Sequence, residues 1–272
     1  MARGDIPSHP KIVHTRADLT SREARAALVG VDVLWHLGAQ LWRSRDGRQI
    51  EVNIGGTANV LGAGAGHVVL ASSAAVYGAH PTNPVPITED LEPRPNNECP
   101  YAWHKLEAER LCREAGPTSV MRLSAVLGPH ADPQVQRAIQ GYRVVVPALR
   151  GIPQALQFLD EEDAAQGLLA AGRVRAEGAF NLATEDWLGE SALATVAGGR
   201  VVRLPRRAAI AVSEAGYRLR LIPFGADRSS LLGGPLALDP AHAERVLGWK
   251  PSATSAEVLG RAVRSARRQA GR

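Results

Sequence analysis

Short apolar runs alternate along this chain with stretches of helical character, and that alternation leaves few folds open. Lys11–His14, Asp32–Leu37 (DVLWHL), His67–Ser72 (HVVLAS) and Ser119–Leu123 read as strands. Thr20-Ser21-Arg22-Glu23 has the form of a capping box, and a helix follows to about Val29, closed by Gly30. Arg48–Leu61 reads as a second helix. A third runs from Tyr101 to about Glu114, with Pro100 at the favoured first position. Strand, helix and strand at this spacing mean a parallel α/β sheet, and ligands on such sheets bind at the carboxyl ends of the strands. Further on, Gln157–Leu159, Ala179–Leu182 and Arg200–Leu204 read as strands, and Arg206–Leu221 and Ser255–Arg268 as helices. Residues 79–100, rich in proline and asparagine, read as a long loop of the kind that often carries function.

At 272 residues the chain is long enough for one large domain, or for a domain with a smaller lobe. Its 45% hydrophobic and 22% charged residues exclude disorder, collagen and coiled coil as whole-chain answers. No run is apolar enough to span a membrane, and the start lacks the apolar centre of a signal peptide. Two cysteines, Cys99 and Cys112, make neither a disulfide framework nor a zinc knuckle, so a reduced, cytoplasmic compartment and no metal are expected. The net charge of +5 invites a nucleic-acid reading centred on Arg261, Arg264, Arg267, Arg268 and Arg272. No nucleic-acid motif accompanies those arginines, and a solvated helix face is the plainer explanation.

The chemistry concentrates in Tyr101-Ala-Trp-His-Lys105. On a helix, positions i and i+4 share a face, so phenol and ammonium can address one pocket. A nearby cation favours phenolate and lowers a tyrosine pKa, and a tyrosine so tuned can exchange a proton with a substrate oxygen. Ser73 lies just past the strand 67–72, at a carboxyl strand end, where its hydroxyl can hold the reacting oxygen beside the tyrosine. Ser72 is the alternative for that role. The decoy Gly62-Ala-Gly64-Ala-Gly66 closes a helix and precedes a strand, the reverse of a phosphate loop, and reads as a tight connection.

These stretches, with Ala17-Asp18-Leu19, His36-Leu37-Gly38-Ala39, Asn53-Ile-Gly-Gly56-Thr57, Ser72-Ser73-Ala-Ala-Val-Tyr77-Gly78, Arg122-Leu-Ser-Ala-Val-Leu-Gly128-Pro129, Phe158-Leu-Asp-Glu-Glu-Asp163, Phe180-Asn181 and Leu247-Gly248-Trp249-Lys-Pro251, resemble in order the extended short-chain dehydrogenase/reductases, the NAD-dependent epimerase/dehydratase group. The resemblance covers about residues 10–262. It implies Tyr101 as catalytic acid/base. Lys105 would lower its pKa and hold the nicotinamide ribose, Ser73 would position the substrate oxygen, and Asn53 would support the lysine through a water. It further implies NAD or NADP as cofactor. Asp18 and Leu19 would lie near the adenine, Leu37, Gly38 and Ala39 along ribose and phosphates, and Leu123 and Ser124 beside the nicotinamide. Asp163 is read as a capping or bracing residue. A small-molecule substrate and a homodimer built on the Tyr101 helix complete the expectation.

Two departures qualify it. The glycine-rich strand-to-helix turn and the charged residue ending the second strand are not found, so the chain reads as starting near the family's third strand. The expectation is a Rossmann-like parallel sheet lacking its first βαβ unit, with a small C-terminal substrate lobe. Residues 1–128 would be the incomplete cofactor domain and 129–272 mainly the lobe, with about 152–182 returning to the core. A true start upstream is expected, with Val13 and Leu34 along an exposed seam. Ala125 and Leu127 also replace an asparagine and a tyrosine common in sugar-nucleotide members, and Ala74 and Ala75 stand where dehydratases carry acids. Walls at 74–98, 125–150 and 206–232 would enclose the substrate, with Arg143, Arg150, Arg206 and Arg207 available to an anionic group. A non-catalytic or partner-dependent cofactor-binding relative is the rival reading.

Overall fold

The structure, a computed structural model, describes residues 11–42, 47–222 and 225–270, with side chains through residue 266. Its centre is a four-stranded parallel sheet, β1 (Val33–His36), β2 (His67–Ser73), β3 (Thr118–Leu123) and, later in the chain, Gly178–Leu182, in the spatial order of their appearance. The register sets Leu34 beside Val68, Leu70 beside Val120, and Ser73 beside Leu123. Side chains alternate across the sheet. Val68 and Leu70 pack with Ala108 and Cys112 on one face, while Val69 and Met121 pack with Ala164, Ala171, Phe180 and Leu182 on the other. Each such fully buried aliphatic contributes about 1.5–3 kcal/mol.

The first face is covered by α2 (Gly56–Leu61) and α3 (Pro100–Ala115), the second by α5 (Glu161–Val174). The preceding short helix, α1 (Arg22–Ala26), is capped by Ser21, whose hydroxyl accepts from Ala24 N at 3.2 Å. The cap therefore falls one residue later than the Thr20 expected, because Thr20 instead hydrogen-bonds Asp18. A π-type turn, Glu51–Gly55, leads into α2, and the Gly62–Gly66 link then joins α2 to β2, with Gly64 at φ +72°.

The expected strand at Lys11–His14 does not form. Among the described residues nothing pairs with the outer edge of β1, and Ile12 and Val13 are left 52% and 93% exposed. Leu34, expected in the same seam, is buried because its side chain shares the inward face with His36. Trp35 points to the other face, where its indole donates to Leu168 O at 2.9 Å. A Cβ at Gly172 would come within 2.1 Å of that ring, which is why α5 carries a glycine there.

The remaining chain adds β4 (Ala125–Leu127) paired with β6 (Phe158–Asp160), and β5 (Val145–Leu149) paired with β8 (Arg200–Leu204); the fourth strand of the central sheet is β7. Helices α4 (Pro133–Gly141), α6 (Glu190–Ala197) and α10 (Ser255–Ala270) close a second apolar core around Ile139, Val146, Phe158, Leu193, Leu259 and Val263. The apolar face of α10 lies in that core, and Arg261 is tied to Asp160 at 2.8 Å. Arg267, Arg268 and Arg272 of the basic tail have side chains outside the described residues. Helices α7 (Arg206–Arg218) and α8 (Ala226–Ser229) precede α9 (Ala241–Leu247), which returns to the main core through Ala243 and Leu247. Asp163 braces that return: its carboxylate accepts from Ser252 N and Oγ, and its carbonyl from Trp249 Nε1. No described helix is long and apolar enough to cross a membrane.

Candidate active site

The carboxyl end of β2 delivers Ser73, whose hydroxyl accepts from Ala75 N at 3.2 Å as the chain turns into Ala74–Tyr77. Gly78 ends that turn at φ +67°, where a Cβ would strike Arg94 O, so only glycine lets the long loop fold back here. On the facing side α3 begins at Pro100 and sets Tyr101 and Lys105 one turn apart. The Ser73 hydroxyl lies near enough to the Tyr101 phenol to pull its pKa down. Lys105, buried at 6% exposure, donates from Nζ to Ala71 O at 2.6 Å and lies 5.9 Å from the Tyr101 ring centroid. Ser73, Tyr101 and Lys105 therefore lie together at the carboxyl end of β2. Ser72 turns the other way and donates to Glu109, so it does not compete for the role.

The electrostatics differ from expectation. Burial pushes the Tyr101 phenol above the ordinary tyrosine range, against the lowering pull of Arg228 and of the Ser73 hydroxyl. The lowering by Lys105 is not what the structure shows. Its ammonium is turned onto a backbone carbonyl, and burial brings Lys105 itself down to about 8. The guanidinium closest to the tyrosine chemistry is that of Arg228, whose Cζ sits 4.6 Å from the Tyr101 ring centroid and 5.1 Å from that of Trp42. Neither Arg228 nor Trp42 was singled out from sequence. They come from distant segments, Arg228 and Leu41, the neighbour of Trp42, being 187 positions apart, and no spacing rule joins them.

Asn53 is buried, but its polar atoms are committed elsewhere. Oδ1 accepts from Gln40 N at 2.6 Å, and Nδ2 donates to Gln40 O at 3.1 Å and faces His104 Nδ1 at 3.4 Å. Asn53 thus pins the loop after β1 instead of leading toward Lys105. Thr57 spends its proton on Asn53 O, so His36 Nε2 donates to Thr57 Oγ1 at 2.7 Å. Burial, helped by Lys105, brings His36 down to about 4. Leu19 packs against Gly38 and Gly56 closely enough that a Cβ at either would come within 2.7 or 3.0 Å of it. Leu19 and Leu37-Gly38-Ala39 are therefore neighbours, with Leu37 left 55% exposed. Asp18 accepts from Thr20 N and Oγ1 and pairs with Arg48 at 3.8 Å, an Asx-type turn. Leu123 ends β3 beside Ser73. Ser124 follows with its amide on Leu182 O and its hydroxyl buried without a partner among the described residues. Of the four arginines considered for an anionic group, Arg206 is paired with Glu98 at 2.7 Å and Arg150 lies against Arg203 O. A separate cavity of about 250 Å³, lined by Leu127, Ile139, Val258 and Arg261, contains none of the predicted site residues.

Beneath the site lies an ionic network whose polar ends are matched, and whose outer edge is the half-exposed Arg113, donating to Glu109 Oε2 at 3.1 Å. Glu109, fully buried on α3, accepts from Ser72 Oγ at 2.5 Å and from Arg122 Nε and Nη2 at 3.1 and 2.8 Å. Arg122 also donates to Tyr77 OH at 2.9 Å, and Tyr77 donates to Asn181 Oδ1 at 2.9 Å. Every charged or polar end has a partner, and the network ties α3, β2, β3 and β7 together.

Comparison of the whole chain with known proteins addresses its family and fold. The sequence model of the NAD dependent epimerase/dehydratase family matches residues 4–183. The chain belongs to that family. A Sinorhizobium fredii protein, y4nG, is 27% identical over 271 residues, covering 93% of this chain and 67% of the relative. The Mycobacterium tuberculosis protein Rv0501 is 26% identical over 243 residues, 84% of this chain and 64% of its own. The chain thus spans about two thirds of the length of these relatives. The GDP-6-deoxy-D-mannose reductase of Pseudomonas aeruginosa is 32% identical over 155 residues, 48% of this chain and 50% of the reductase. Among solved structures, MoeE5 in complex with UDP-glucuronic acid and NAD superposes with a TM-score of 0.72 at 23% identity, covering 98% of this chain and 89% of MoeE5. RMD from Pseudomonas aeruginosa complexed with NADPH gives 0.68 at 22% identity, covering 99% and 93%. These likenesses establish the α/β fold of the family.

Proposed function

We propose that the protein carries out nicotinamide-dependent redox chemistry at a carbinol or carbonyl carbon, with Tyr101 moving the proton. The observation that supports this most is the convergence of Ser73 and Tyr101 at the carboxyl end of β2, with Lys105 one turn along α3. Ser73 would hold the substrate oxygen by a hydrogen bond, and Tyr101 would give or take that oxygen's proton. A bound nicotinamide would supply the acceptor or donor of hydride. The residues fit the nicotinamide end of such a cofactor. The Ser124 hydroxyl, unpartnered among the described residues, and the Lys105 ammonium would reach the nicotinamide ribose, with Leu37, Gly38 and Ala39 along the next segment and Asp18 and Leu19 toward the adenine. Among the described residues no strand-to-helix turn carries the glycine pattern that cradles a pyrophosphate, so that contact is assigned to no residue.

Relatives and neighbours carrying UDP- or GDP-sugar names make nucleotide sugars the first substrate panel. NADH and NADPH are titrated separately against tryptophan fluorescence, and turnover across the panel is followed by nicotinamide absorbance. Cofactor binding is expected, with a Tyr101→Phe variant that still binds but turns over about 10²- to 10⁴-fold more slowly. Absence of binding, or full activity in Tyr101→Phe, rejects the proposal; cofactor binding without turnover by the wild type on any member of the panel favours the non-catalytic reading.

A further inference from the structure

We propose that Arg228, clamped between the rings of Tyr101 and Trp42, is a positioning residue that supplies the positive charge on Tyr101 and ties the C-terminal lobe to the loop after β1. The inference rests on the reading of Tyr101 as the proton-transfer residue, and goes beyond it by assigning the tuning charge to a residue outside the Ser-Tyr-Lys set.

The geometry comes from four segments. Arg228 is on α8, with its Cζ 4.6 Å from the Tyr101 ring centroid and 5.1 Å from that of Trp42. A cation over an aromatic face within about 6 Å is attracted by the ring quadrupole, and the more so when both are screened from water. One Nη donates to Leu41 O, which fixes the guanidinium against the loop after β1. The opposite wall is fixed as well, since Trp42 Nε1 donates to Asp132 Oδ1 at 2.8 Å at the start of α4. The side chain keeps 16% exposure. Its Nε is buried without a hydrogen-bond partner among the described residues, with Asp227 Oδ2 4.0 Å away. A guanidinium held this way is incompletely neutralised, and Tyr101 is in direct contact with it.

Lys105 is placed differently. Its Nζ is 5.9 Å from the same ring centroid and donates to Ala71 O. The groups around Tyr101 are therefore Arg228 from α8, with Asp227 beside that arginine, Ser73 from β2, Cys99 at the entrance to α3, and Lys105 from α3 itself. Arg228 is the lowering charge among them, Ser73 lowers through its hydroxyl, and Cys99 and burial oppose. The consequence is a coupling between lobes. When α8 is seated, the phenol has its cation; when α8 moves away, the phenol reverts toward a plain buried tyrosine, which ionises only at high pH. On the proposed function, Lys105 keeps its bond to Ala71 O and has its other ammonium protons for the ribose.

The test reads ionisation directly in the free protein, without substrate. Tyrosines are replaced by 3-fluorotyrosine, which brings phenol titration into the range the fold tolerates. The resonance missing from Tyr101→Phe is followed by ¹⁹F NMR against pH. Arg228→Gln is expected to raise the Tyr101 midpoint by about one pH unit or more. Arg228→Lys, which restores the charge, recovers at least half of that shift, and Lys105→Met shifts it less than Arg228→Gln does. An unchanged midpoint in Arg228→Gln, no recovery in Arg228→Lys, or a larger shift in Lys105→Met overturns the proposal. Thermal melts by circular dichroism identify a variant that has unfolded. If Arg228→Gln unfolds, Trp42→Ala, which releases the clamp and leaves the charge, is read in its place, and failure to raise the midpoint overturns the proposal. Turnover enters none of these readings, so the outcome is separate from that of the substrate experiment.

Discussion

Two polar assemblies meet at the carboxyl end of the central sheet, one below it and one above, and they are built on opposite principles. Below, Glu109, Arg122, Ser72, Tyr77 and Asn181 form a closed set in which each polar end is matched. Above, Ser73, Tyr101, Lys105, Ser124 and Arg228 form an open set, in which the Ser124 hydroxyl and Arg228 Nε are buried without partners among the described residues. A buried polar group without a partner costs free energy, and folded proteins seldom keep one unless something else meets it. The comparison separates groups that hold the sheet end together from groups that, on the proposed function, are left open to a ligand.

The largest effect that would break this comparison lies in the lower set. Glu109→Ala would leave the Arg122 guanidinium buried at 4% side-chain exposure without its carboxylate. Removing one partner of a buried pair costs about 3–5 kcal/mol. A urea midpoint shifted down by that amount, with the variant still folded at low denaturant, is the expected result. A loss below about 1 kcal/mol, the range of exposed pairs, would mean that the pair is solvated and the two assemblies are alike.

Acid should probe the boundary between them. His36, at 4% exposure, is held at about 4 by burial and by Lys105, below its ordinary value. Between roughly pH 6.5 and 4 the unfolded chain takes up this proton and the folded chain does not, so stability falls as the pH drops through that window. The difference of about two and a half pH units corresponds to on the order of 3 kcal/mol. Urea unfolding of the wild type and of His36→Gln at pH 7 and at pH 4.5 isolates the effect, because the carboxylates are common to both. The wild type should lose more of its stability than the variant; equal losses would place His36 in contact with water.

Much of this architecture was legible in the sequence where the cause is local. The strands at 67–72 and 119–123 and the helix from Pro100 follow from apolar runs and a proline at the first helical position, and their bounds agree within a residue or two. Ser73 and Tyr101 could be paired on paper because a strand end and a helix start each fix one side chain. Elements with weak local signals escaped. Ala125–Leu127 is too short, Val145–Leu149 carries Pro147, and α5 is so rich in alanine and glycine that its period is faint. Lys11–His14 had the apolar pattern of a strand, but a strand needs a neighbour, and β1 is paired on one side only among the described residues. The polar detail was illegible for a related reason. Whether Lys105 faces Tyr101 or Ala71 O depends on tertiary contacts, and so does the arrival of Arg228 over the tyrosine ring.

Two serines allow the sharpest comparison, since the same small change should have opposite signs in the two sets. Ser72 donates to buried Glu109 at 2.5 Å, a hydrogen bond to a charged group worth about 1.5–3 kcal/mol, and Ser72→Ala should lower stability by roughly that amount. Ser124 is equally small and nearly as buried, at 8% against 4% exposure, but its hydroxyl meets no partner among the described residues. Replacing an unsatisfied hydroxyl by a methyl removes a desolvation cost instead of a bond, so Ser124→Ala should leave stability within about 0.5 kcal/mol of wild type or raise it. If the proposed function holds, the same variant should weaken nicotinamide-cofactor binding, since the cofactor would then supply the missing partner. Parallel urea curves and cofactor titrations for the two variants read both signs. A Ser124→Ala protein as destabilised as Ser72→Ala would mean that its hydroxyl is already satisfied within the fold, and the division between a closed and an open set would fail at the position where it is most exposed to test.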